Sequence, residues 1–310
     1  MSKFAFVFPG QGSQAVGMLN GFADNKVVRD TIAEASDALQ FDLWAMIAEG
    51  PKESLDLTTN TQPVMLSTSV AFYRAWLAAG GQVPAIVAGH SLGEFSALVA
   101  AGVIDFKDAV KLVRFRAQAM QEAVPVGLGG MAAIIGLSDE DVIAACAEAA
   151  QGEVVEPANF NAPSQLVIAG HKTAIARACE AAKARGAKRA LPLSVSAPFH
   201  SSLLKPASDR LREYLTQLTF SAPKIPLINN VDVAFVNDPA AIKDALVRQA
   251  ASPVRWVETI QKMAAEGVTH VVECGPGKVL AGLCKRIHDG VTSDAIVDQA
   301  SLDKVLESLK

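Results

Sequence analysis

One stretch constrains this chain more than any other: Ala85 to Gly102, AIVAGHSLGEFSALVAAG. Its apolar start, Ala85 to Ala88, predicts a short buried strand. The strand runs into Gly89-His90-Ser91-Leu92-Gly93, a G-x-S-x-G pentapeptide. A helix-like apolar run follows, with Glu94 in its first turn where a negative charge suits the helix dipole. Strand, tight turn and helix in this order form a nucleophile elbow. Glycines let the backbone turn sharply and leave room beside the serine. The Ser91 hydroxyl then stands at the carboxyl end of a strand, over a helix N-terminus. The free N–H donors there can hold the oxyanion formed when Ser91 attacks a carbonyl. An isolated G-x-S-x-G also occurs in ordinary strand-to-helix loops; here the flanking strand and helix weigh for a nucleophile.

Composition bounds the rest. The chain has 310 residues, 50% of them hydrophobic and 19% charged. That supports a substantial core in one large domain, or a large domain with a smaller companion. A net charge of −4 argues against non-specific nucleic-acid binding. Cys146, Cys179, Cys274 and Cys284 lie far apart with no C-x-x-C pair, so buried reduced thiols are expected, with neither a disulfide framework nor a metal site. MSKFAFVFPG is too soon interrupted to read as a signal peptide, and no apolar run reaches membrane-spanning length. A cytoplasmic protein without membrane contact is the expectation.

Along the chain, Phe4 to Phe8 reads as a first buried strand ending in Pro9-Gly10-Gln11-Gly12-Ser13-Gln14. That G-x-G lacks the third glycine of a dinucleotide fingerprint. Thr61 to Ala79 reads as a helix with Pro63 near its start. Phe106 to Ala123 is another, with Ala109, Leu112, Val113 and Met120 on one apolar stripe. Arg116 falls on the same stripe. A buried arginine needs an anion; an internal salt bridge is the commoner answer, and a substrate carboxylate gripped by the guanidinium fork is the other. From Gly129 to Val195 the predicted order is β-α-β-β-α-β, that of a ferredoxin-like unit. Strand and helix alternate on either side of it, which predicts a largely parallel α/β sheet. Residues 1–124 and 197–310 are therefore read as one large subdomain, and 125–196 as an insertion. Gly275-Pro276-Gly277-Lys278 is not a phosphate loop, since Val279 follows the lysine.

A serine nucleophile needs a base. His90 adjoins Ser91 on a tight turn, so their side chains should diverge. His171 ends a strand, His270 opens one, and His288 closes a helix. His200 lies in Ala197-Pro198-Phe199-His200-Ser201, where the insertion returns to the large subdomain. A cleft at a domain junction suits a catalytic residue.

Together, Gly10-Gln11-Gly12-Ser13-Gln14, Gly89-His90-Ser91-Leu92-Gly93, Arg116, Ala197-Pro198-Phe199-His200-Ser201 and Gly275-Pro276-Gly277 resemble the malonyl-CoA:acyl carrier protein transacylase family. The resemblance runs from about Phe4 to Ile287. It implies an α/β-hydrolase-like large subdomain and a ferredoxin-like small one. It implies Ser91 as the acylated nucleophile, His200 as its base and Gln249 as the residue orienting the histidine, with no acidic third member. It further implies Arg116 as the clamp for the malonyl carboxylate, the N–H groups of Gln11 and Leu92 as the oxyanion hole, and Phe199 as a pocket wall excluding an α-methyl branch. The implied reaction is malonyl transfer from malonyl-CoA to acyl carrier protein in fatty acid biosynthesis, through a malonyl-serine and with no cofactor of the enzyme's own. The carrier proteins of such pathways are acidic, so a local basic patch should dock them. Lys188 and Arg189, leading toward His200, are one candidate; Lys285 and Arg286 are the other; Lys183 and Arg185 read as solvated charge. A serine thioesterase and a non-catalytic acyl-thioester sensor are the rival readings.

Overall fold

The computed structural model describes residues 3–310. Nine strands and thirteen α-helices are described. Strands β1 (Phe4–Phe8) and β2 (Ile86–Gly89) are separated by helices α1 (Lys26–Leu39), α2 (Leu43–Glu49), α3 (Lys52–Leu55) and α4 (Thr58–Ala78). Then come α5 (Gly93–Ala100) and α6 (Phe106–Ala123). The next group is β3 (Gly129–Ile135), α7 (Asp139–Ala150), β4 (Val155–Ala162), β5 (Gln165–His171), α8 (Lys172–Ala184) and β6 (Arg189–Pro192). The chain continues through α9 (Lys205–Leu215), β7 (Leu227–Ile228), α10 (Pro239–Gln249), α11 (Trp256–Ala265), β8 (His270–Cys274), α12 (Val279–Ile287), β9 (Thr292–Ile296) and α13 (Gln299–Ser308).

Five strands form one sheet in the order β7-β2-β1-β8-β9, every pair parallel. Parallel strands need crossovers that cover both faces, so their central strands bury all their side chains. That is why FAFVF and IVAG are continuous apolar runs: all nine residues are buried. The second sheet is antiparallel, in the order β4-β5-β3-β6, with the β-α-β-β-α-β succession of a ferredoxin-like unit. It has a core of its own, in which Ile134, Val142, Leu166, Ile168 and Ile175 pack with Cys146 and Cys179.

The long crossover between β1 and β2 was legible in the sequence only at α4. Helix α1 carries Val28, Thr31, Ile32 and Ala35 on its buried face, and the Asn25 side chain caps it by accepting from the N–H groups of Val27 and Val28. Helix α4 begins at Thr58, a turn earlier than Pro63 suggests, because the Leu57 carbonyl accepts from Thr61 N at 2.8 Å. Most of its residues are buried, on every face, which an amphipathic pattern does not reveal.

The small sheet is tied to the segment after α10 at a point that matters for the site. Phe160 N donates to Val254 O and Val254 N to Ala158 O, each at 2.9 Å. Strand β4 thereby grips the segment that follows α10. No described helix is long and apolar enough to cross a membrane.

Candidate active site

Ser91 sits between β2 and α5 with a positive φ of 52°. Such a conformation is unfavourable for a residue with a Cβ and has to be held by its surroundings. Both flanking glycines are required by space. A Cβ on Gly89 would stand 1.9 Å from the Gly93 carbonyl carbon, and one on Gly93 would stand 2.0 Å from Phe8 O. The turn is stapled by Asn230, whose Oδ1 accepts from Ser91 N at 2.8 Å and whose Nδ2 donates to Gly89 O at 2.7 Å. Leu92 opens α5, and the backbone N–H groups of Leu92 and Gln11 have no protein partner among the described residues. The Gln11 side chain is tied back, its Oε1 accepting from Thr58 Oγ1 at 2.6 Å.

His200 also has a positive φ, 63°, and its side chain reaches Ser91: Nε2 lies 2.6 Å from Oγ. The other ring nitrogen, Nδ1, lies 2.9 Å from Gln249 O and 3.1 Å from Ser252 O. Carbonyls only accept, so Nδ1 carries the hydrogen and Nε2 of the neutral ring is left to accept from the serine hydroxyl. No carboxylate takes part. Burial, reinforced by the Arg116 guanidinium, pushes the imidazolium pKa down to about 3. A lowered folded-state value keeps the ring neutral over the whole range above it. The histidine limb of kcat/KM for acylation of Ser91, which reports the free enzyme, should therefore fall well below the ordinary histidine value. A limb centred near 6.5 that persists in Glu94→Gln would contradict this environment.

Arg116, on α6, is fully buried. Its partners are not a carboxylate. Nη1 donates to Gln62 Oε1 at 2.8 Å, and Nη2 to Gln249 Oε1 at 2.8 Å and to Ser91 Oγ at 3.3 Å. The Phe95 ring lies under the guanidinium at 5.1 Å. Nε has no partner. Of the two readings the sequence left open, the direct salt bridge is absent, and donors remain for an anion beside the nucleophile. Burial lowers the Arg116 pKa to about 10, against the pull of Glu94.

Gln249, the last residue of α10, touches three of these groups. Its backbone oxygen accepts from His200, its Oε1 from Arg116, and its Nε2 donates to Ser91 O at 3.0 Å and to Glu94 Oε2 at 2.9 Å. The contact that orients the histidine is thus made by the main chain.

His90 points away from Ser91, as a tight turn requires; its Nε2 lies 2.8 Å from Asn161 Oδ1. Phe199, next to the base, is 8% exposed and packs into the main core. Lys183 and Arg185 are paired with Glu180 and Glu148. Lys188 and Arg189 are exposed, as are Lys285 and Arg286 in the last turn of α12. The two basic clusters converge. Arg286 donates to Gln165 Oε1, and Gln165 and Arg189 both stand opposite Ile135 in the small sheet. Sequence reasoning missed Gln62, Asn230 and Ser252, which carry no motif. It took Glu94 for a dipole charge, whereas Glu94 is buried and bonded inward.

A serine on a strand-to-helix elbow, a histidine on its hydroxyl and a fully parallel sheet beneath define an acyl-transferring α/β protein. The acyl transferase domain family matches residues 5–304. The malonyl CoA-acyl carrier protein transacylase of Salmonella typhimurium is 58% identical over 99% of both chains, and that of Bacillus subtilis 44% identical over 100% of this chain and 98% of the other. The crystal structure of an acyl-carrier-protein S-malonyltransferase from Burkholderia pseudomallei is 69% identical, with a TM-score of 0.97 over 98% of this chain and 99% of that one. A malonyl-transacylase solved in complex with its type II PKS acyl-carrier protein is 54% identical, with a TM-score of 0.98 over 99% of this chain and 100% of that one. The chain belongs to the malonyl CoA-acyl carrier protein transacylase family of acyl transferase domains.

Proposed function

We propose that the protein moves a malonyl group from malonyl-CoA to the phosphopantetheine thiol of acyl carrier protein, in the cytoplasm and in fatty acid biosynthesis. The observation that carries this reading is Arg116: a buried guanidinium with no carboxylate partner, 3.3 Å from the hydroxyl of a Ser–His pair. An ordinary acyl ester has no second carboxylate to place there; a malonyl thioester has. The malonyl carboxylate meets the guanidinium, and its charge offsets the field that depresses His200, so the base strengthens when substrate is in place. His200 Nε2 takes the Ser91 proton as Oγ attacks the thioester carbonyl. The Gln11 and Leu92 N–H groups face the developing oxyanion. Coenzyme A leaves with the proton from His200, and the carrier thiol then attacks the malonyl-serine by the reverse steps. The protein needs no cofactor of its own, since the phosphopantetheine arrives on the partner. Residues 125–196 are the small subdomain in this reading, carried by 1–124 and 197–310.

The test is intact mass after incubation with malonyl-CoA, followed by addition of carrier protein. A malonyl adduct that transfers to the carrier is expected. Free malonate as the main product would make the protein a thioesterase; no adduct would make it a sensor.

Phe199 walls the acyl site. Phe199→Ser should raise methylmalonyl relative to malonyl uptake by the worth of one methyl, about 1–3 kcal/mol. An unchanged ratio places the wall elsewhere.

The strip of Lys188, Arg189, Lys285 and Arg286 steers the acidic carrier. Lys188→Glu with Arg189→Glu should raise the KM for carrier protein at low salt while malonyl-serine formation from malonyl-CoA stays intact. An unchanged KM assigns docking to Lys285 and Arg286 alone, tested by the same reversal there.

A further inference from the structure

Glu94 is a buried carboxylate, 2% exposed, for which the transfer chemistry has no step. Among the described residues it forms no ion pair with a lysine or arginine. Its Oε2 accepts from Gln249 Nε2 at 2.9 Å and from Asn230 N at 3.1 Å. An isolated buried carboxylate is costly, and so is an isolated buried guanidinium. The two lie on either side of one glutamine amide: Glu94 accepts from its nitrogen and Arg116 donates to its oxygen. We infer that Glu94 is the counter-ion of Arg116, held one amide away so that the buried guanidinium charge is balanced and its fork oriented while its remaining donors stay open to the substrate carboxylate.

The alternative arrangement shows why the distance matters. A carboxylate in direct contact would bind the guanidinium bidentately and compete with the substrate for the same donors. Interposing Gln249 keeps the Coulomb attraction and removes the competition. It also fixes the amide. Both Nε2 hydrogens are used, one on Ser91 O and one on Glu94, so Oε1 must face Arg116. Through Asn230, which staples both ends of the elbow, the same carboxylate braces the strained Ser91 backbone. Glu94 touches no reacting atom and is a positioning residue. Burial outweighs the hydrogen bonds from Gln249 and Asn230 and the field of Arg116 and leaves its pKa at about 7, so the pairing is read above about pH 8, where Glu94 is ionised.

The inference rests on the reading of Arg116 given above, but its first test needs no substrate. A thermal-unfolding cycle compares the wild type, Glu94→Gln, Arg116→Met and the double variant. E94Q should lower the midpoint, and adding R116M, which deletes the charge that Glu94 answers, should recover most of the loss. Additive losses, or an E94Q midpoint equal to that of the wild type, overturn the pairing. The second test moves the carboxylate onto the guanidinium with Glu94→Gln and Gln249→Glu together. This swap should lower the ratio of malonyl to acetyl acylation of Ser91 by about 100-fold or more. A swap enzyme with the wild-type preference for malonyl overturns the inference. A swap that fails to fold reflects the donor lost to Ser91 O, and the thermal cycle then decides the pairing. A wild type that takes up no malonyl would instead remove the proposed function and leave the stability cycle standing.

Discussion

Ser91→Ala should abolish the acyl adduct and reduce malonyl transfer by roughly 10⁴-fold or more, the scale seen when a serine nucleophile is deleted from an acyl-transfer site. The size follows from the geometry. His200 Nε2 has Ser91 Oγ as its polar neighbour at 2.6 Å, so without the hydroxyl there is nothing for the base to activate. Stability should hardly suffer. The elbow is held by Asn230 and by the two glycines, all acting on the backbone, and alanine keeps the Cβ. Intact mass and a thermal scan on the same sample check both halves. A surviving adduct on another residue would move the nucleophile elsewhere.

Arg116→Ala should depress malonyl transfer far more than acetyl transfer. Removing one partner of a buried charged contact costs roughly 2–5 kcal/mol, or about 30-fold to several thousandfold in kcat/KM. The acetyl group has no carboxylate to lose. The variant also removes the guanidinium that, after burial, holds down the His200 pKa, so its acid limb should move up part of the way toward the usual histidine range. Paired kcat/KM values for the two donors across pH check both statements. Equal losses with both donors would reduce Arg116 to a packing role. Arg116→Lys should rescue only in part, because an ammonium cannot span the Gln62 and Gln249 oxygens that the planar fork reaches together.

Much of this was readable in the chain itself. Apolar runs marked β1 and β2, because strands covered on both faces have no polar alternation. The helix over Phe106–Ala123 follows from local rules and stands as read. The elbow was legible because its glycines are forced by contacts close in sequence: Gly89 meets Gly93 and Glu94. Arg116 stood out as a charge on an apolar stripe.

Other features lie beyond any local signal. Helices α1 to α3 went unread, and β7 is only two residues long, since a strand's length depends on what pairs with it. Whether Arg116 meets a carboxylate or an amide depends on Gln62 and Gln249, which lie 54 and 133 positions away. The histidine is held by carbonyls of a segment that β4 grips from the other sheet. Glu94 looks like a first-turn dipole charge until Asn230 and Gln249 arrive from the far end of the chain to bury it. Periodicity, turn chemistry and caps act over a few residues, so the sequence alone determines the elements and which chemistry-bearing groups they carry. Partners in a buried polar network are chosen by packing across the whole sheet, so only the tertiary structure decides which of those groups meet and in what charge state.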